Sequence, residues 1–65
     1  MHRNIIERAY ELAASGDAPD ILHVKMKLSA EGYTHIDSHL DGSKIRADLR
    51  ALIARSQARD MVHSG

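Results

Sequence analysis

The sequence predicts an all-α fold: a small three-helix bundle with a short extra helical turn between the second and last long helices, in a helix-turn-helix-like order. Three observations predict it. Apolar residues recur at helical spacing through nearly the whole chain, and nothing alternates with the period of two that marks a half-buried strand. Gly16, Gly32 and Gly42 stand where the periodic segments stop, as expected of residues that enter the left-handed conformation without steric cost. Cap-forming residues, Asn4, Asp17, Thr34 and Ser43, stand where the next segments begin.

The first helix begins after Asn4, and Glu7 three residues on completes a capping-box pattern, in which each side chain satisfies a free backbone N–H. Ile5, Ile6, Ala9, Tyr10, Leu12 and Ala13 follow at helical spacing, and Ser15 with Gly16 ends the segment. The second helix is expected to start at once. Asp17 serves as its N-cap, Pro19 sits in the first turn where a missing N–H is harmless, and Asp20 places negative charge near the positive end of the dipole. Ile21, Val24 and Leu28 form its core stripe, widened by Leu22 and Met26, with Lys25 and Lys27 facing solvent or a partner.

Gly32 at the position after the C-cap puts Tyr33 against Leu28, the hydrophobic contact of a Schellman stop. Thr34 then caps a short helix, with Asp37 as its capping-box acid and Ile36 and Leu40 one turn apart toward the core. Asp41 and Gly42 close that turn, and Ser43 caps the last helix over roughly 43–58. Its core face is Ile45, Leu49, Leu52 and Ile53, on the i, i+4, i+7, i+8 rule. Residues 1–59 read as a single helical domain and 60–65 as a flexible C-terminal tail.

Composition narrows the function classes. With 65 residues and no Phe, Trp or Cys, the chain can neither staple its core with disulfides nor enclose a large pocket. No apolar run approaches the roughly 18 residues that span a bilayer, and charges occupy the place of a signal peptide's apolar segment. A soluble, cytoplasmic protein is expected. Formal net charge is zero, but residues 1–41 carry about −3 and residues 42–65 about +3.

Candidate chemistry centres on the stretch 31–42. His35 and His39 would share a helix face and could chelate a divalent metal through two imidazoles. Two ligands do not make a site, and a third or fourth would have to come from His2, His23, Asp41 or a second subunit. Asp37, Asp41, Gly42 and Asp48 can also be laid on a calcium-loop pattern. However, His39 takes a position that wants a hard oxygen, Asp48 replaces the bidentate Glu, and Lys44 adds positive charge. The serines lie at caps, helix faces or the tail, without a base and an orienting group beside them. No metal, no cofactor and no enzymatic activity are expected.

The last helix is the most informative. At about 100° per residue, Ala47, Ala51, Ala54 and Ala58 fall in one stripe opposite the core face, bordered by Arg46 and Arg50 on one side and Arg55 and Arg59 on the other. A flat alanine strip lets another backbone approach, and arginines pair with carboxylates or phosphates; both are also good helix formers that would suit a plain solvated surface. The function expected is a small non-catalytic protein-interaction module, self-associating through this Ala/Arg face. The alternative is a helix-turn-helix-like nucleic-acid-binding or regulatory protein using the same arginines. In that case the helix after Gly32 reads poorly as a recognition element, because it carries Asp37 and Asp41 and no Arg or Lys before Lys44.

Overall fold

The computed structural model describes the backbone of residues 4–64 and the side chains of residues 4–58. Among these residues four helices follow in order: α1 (Ile5–Ser15), α2 (Ile21–Ala30), α3 (Ile36–Leu40) and α4 (Ser43–Ser64). Among the described residues there is no strand. The small all-α bundle with one extra short helix is therefore the architecture observed. α1 packs against each of the other three helices, most extensively against α4.

Both ends of α1 and the end of α2 have local causes. Asn4 accepts a hydrogen bond from the Ile6 N–H at 2.8 Å, satisfying one of the donors left free in a first turn. At the other end Ser15 Oγ donates to the Leu12 carbonyl and accepts from the Asp17 N–H. Gly16 then turns the chain at φ 88°. α2 ends in a Schellman motif, with the Tyr33 N–H on the Leu28 carbonyl at 3.1 Å and the Gly32 N–H on that of Ser29 at 3.0 Å. Gly32 takes φ 96°, and Tyr33 packs on the core cluster.

Three expected starts shift. α2 begins at Ile21, capped by Asp20 rather than Asp17, with Asp20 Oδ1 accepting from the His23 N–H at 2.9 Å. The reason is tertiary: Ala18 is buried while Asp17 and Pro19 stay exposed, so residues 17–19 serve as a connection that turns Ala18 into the core, and the first turn waits until Asp20. α3 starts after His35, not Thr34, and without a side-chain cap. His35 occupies the left-handed region at φ 54°, which His tolerates better than most side chains. Ser43 is already the first residue of α4, and the carbonyl of Gly42 accepts the first helical bond, from Arg46. α4 also continues past residue 58 to Ser64; no Gly or Pro interrupts that stretch.

The core comprises Ile5, Ala9, Leu12, Ala13, Ala18, Val24, Leu28, Leu40, Leu49 and Ile53. Ile36, Ile45 and Leu52 pack against it, as their spacing predicts. Leu22 and Met26 do not widen the α2 stripe, being 62% and 57% exposed. At about 100° per residue, Met26 lies roughly 160° from both Val24 and Leu28, on the far side of the helix. Polar ties link the helices at the rim of this core. Arg8 grips Glu31 with two parallel bonds, Nε to Oε1 at 2.8 Å and Nη2 to Oε2 at 2.6 Å, the bidentate geometry favoured by guanidinium and carboxylate. Lys25 reaches Asp37 at 3.0 Å, tying α2 to α3.

Candidate interaction surface

α4 is held by its inner face and by contacts on both flanks, and these leave its outer face open. Leu49 and Ile53 are buried, and Ser56, one turn on from Leu52 and Ile53, is buried too at 4% exposure. The small Ser56 side chain admits the α1–α2 connection, since a Cβ built on Gly16 would lie 2.8 Å from Ser56 Oγ. On the α1 flank the Tyr10 hydroxyl donates to Asp48 Oδ2 at 3.0 Å, and Lys44 reaches the same oxygen at 3.3 Å. The bonded Asp48 carboxylate holds the Tyr10 phenol above its ordinary pKa, aided by burial. On the α2 flank Gln57 Nε2 donates to the Pro19 carbonyl at 3.1 Å.

Between these flanks Ala47, Ala51, Ala54 and Ala58 are all exposed. Arg46, Arg50 and Arg55 are exposed as well, and among the described residues none of them makes an ion pair. By contrast Arg8, Lys25 and Lys44 each has a carboxylate within bridging distance. The side chain of Arg59, also expected on this face, lies outside the described residues.

The expected face is thus exposed, but the fold divides it. Ala51, with Arg55, lies on the side of Tyr10 and Asp48. Arg46, Arg50 and Ala54 lie on the other side, where they share a groove with Ile21, Leu22 and Ile53. The start of α2 is the part of this surface that spacing along α4 alone does not find. Its signal in the sequence is the angular position of Leu22, off the Ile21, Val24 and Leu28 stripe. Asp20 also lines the groove. Its Oδ1 lies 2.7 Å from His23 Nδ1, and that contact, with the bond from the His23 N–H, lowers its pKa below the ordinary 3.8.

The two histidines of the connection are exposed, and among the described residues no group of three or more His, Cys, Asp or Glu side chains is placed to hold a metal. Residues 37–48 fold as the rest of α3, a two-residue link and the start of α4, not as a calcium loop. No described helix is long and apolar enough to cross a membrane. Set against protein families, curated proteins and solved structures, the chain has no match in any of the three.

Proposed function

We propose that this protein is a small non-catalytic interaction module that associates with a second copy of itself through the Ala/Arg face of α4. One observation carries the reading: Arg46, Arg50 and Arg55 surround exposed alanines without an ion pair of their own among the described residues. Solvated arginines on a surface are ordinary, but here they border a strip of side chains too small to hold a neighbouring backbone away. The opposite charge of the two halves of the chain, about −3 and +3, also favours contact between copies. On this reading the protein acts in the cytoplasm.

A nucleic-acid contact would have to use the same arginines. It is the weaker reading, because Asp20 and Asp48 flank them and would face phosphates.

The test is molar mass in solution by light scattering over a wide concentration range. A dimer is expected, and Ala54→Glu should raise its dissociation constant by about tenfold or more, since a long side chain then holds the neighbouring backbone off the alanine strip, with helix content by circular dichroism unchanged. A monomer at every concentration overturns the proposal. Binding of a DNA duplex that weakens steeply with salt would instead favour the nucleic-acid reading.

A further inference from the structure

The groove between the start of α2 and α4 is chemically asymmetric along its length. Gln57 bonds the Pro19 carbonyl, which places the neighbouring Asp20 at the Gln57 end. Arg50 and Arg46 lie about 10 Å and 16 Å from Gln57 along α4, at about 1.5 Å per residue. The groove therefore has a carboxylate at one end, two guanidiniums toward the other, and Ile21, Leu22, Ile53 and Ala54 among its lining.

Both ends keep charged groups open to a partner among the described residues. Arg46 and Arg50 have no ion pair among the described residues. Asp20 uses Oδ1 for both of its bonds to His23, and no bond is made by its Oδ2 among the described residues. Beside the groove Leu22 is 62% exposed, and Met26, one turn further along α2, is 57% exposed. The two lie four residues apart, on neighbouring positions of the α2 surface.

We infer that this groove seats a second copy of the chain, in a two-fold dimer in which Arg46 and Arg50 of each copy meet Asp20 of the other and Leu22 is covered between them. The inference rests on the self-association reading above and narrows it to the α2 side of α4. Charge decides the occupant. An acidic peptide or a nucleic acid would gain at the arginines and lose at Asp20. A surface with acid at one end, base at the other and apolar residues between them complements itself on a two-fold rotation, and every pair then forms twice.

The experiment is sedimentation equilibrium of the full chain and four variants, with circular dichroism confirming equal helix content. Leu22→Glu and Arg50→Glu should each raise the dissociation constant roughly tenfold or more, because each change counts twice across the axis. Adding Asp20→Asn to Arg50→Glu should recover part of that loss: Asn caps α2 as well as Asp does, and the facing negative charge is gone. Ala51→Glu, on the α1 side, should leave the dissociation constant unchanged. If Leu22→Glu and Arg50→Glu associate like the unaltered chain while Ala51→Glu does not, the groove inference is overturned and self-association through α4 stands. A monomeric unaltered chain overturns both.

Discussion

At the scale of single residues, Gly16 and Gly32 share a backbone conformation but not an environment. Their φ values are 88° and 96°, in the region where a Cβ costs about 1–2 kcal/mol. A Cβ on Gly32 would meet nothing within 4 Å, whereas one on Gly16 would lie 2.8 Å from Ser56 Oγ. Gly32→Ala should therefore destabilise by about the backbone cost alone, and Gly16→Ala by more. Making Gly16→Ala in a Ser56→Ala background should bring its cost down to that of Gly32→Ala, as a double-mutant cycle in urea would measure. If Gly16→Ala costs the same in both backgrounds, the close approach to Ser56 is not what Gly16 serves. These turns were legible because a positive φ all but demands glycine. His35, in the same region at φ 54°, was not legible, because no residue type announces such a conformation there.

At the scale of elements, α2 shows what apolar spacing reveals and what it leaves open. Leu28 is fully buried and its carbonyl accepts the Schellman bond from Tyr33, so both its side chain and its backbone hold the helix end. Leu28→Ala should cost about 2–5 kcal/mol, a large part of what so short a chain can muster. Met26→Ala, on the exposed side, should change stability by less than about 0.5 kcal/mol in dilute solution. Urea unfolding of the two variants checks the contrast, and a large loss for Met26→Ala would place that side chain in the core after all. The Schellman stop and the α1 and α4 core faces were legible because each depends on neighbours in sequence. The start of α2 was not. Asp17 and Asp20 are both competent caps, and the choice between them depends on the burial of Ala18. Leu22 and Met26 were drawn into the core stripe by their hydrophobicity, although their angular positions already separated them from it.

At the scale of the whole molecule, the unanswered question in the sequence is how so small a core suffices. Among the described residues three of the ten buried apolar ones are alanines, and below roughly 70–80 residues one core rarely supplies more than about 3–5 kcal/mol. The opposite charge of the two halves could be read along the chain. The groove could not, because Asp20 and Leu22 line one groove with Arg46 and Arg50 only once the chain after α1 has turned α2 back toward α4. If that surface binds a second copy, association is linked to folding. A partner that binds the folded chain alone adds stability as RT ln(1 + [L]/Kd), about 1.4 kcal/mol for each tenfold rise in free partner above Kd. For a domain of this size each kcal/mol moves Tm by about 4–8 °C. Thermal unfolding followed at concentrations a hundredfold apart, spanning the dissociation constant, should therefore show Tm rising by at least about 4 °C. Leu22→Glu should flatten that dependence and hold Tm near the dilute value of the unaltered chain. A Tm independent of concentration for the unaltered chain would mean that the bundle stands on its own core, and that the exposed side of α2 contributes nothing to holding it together.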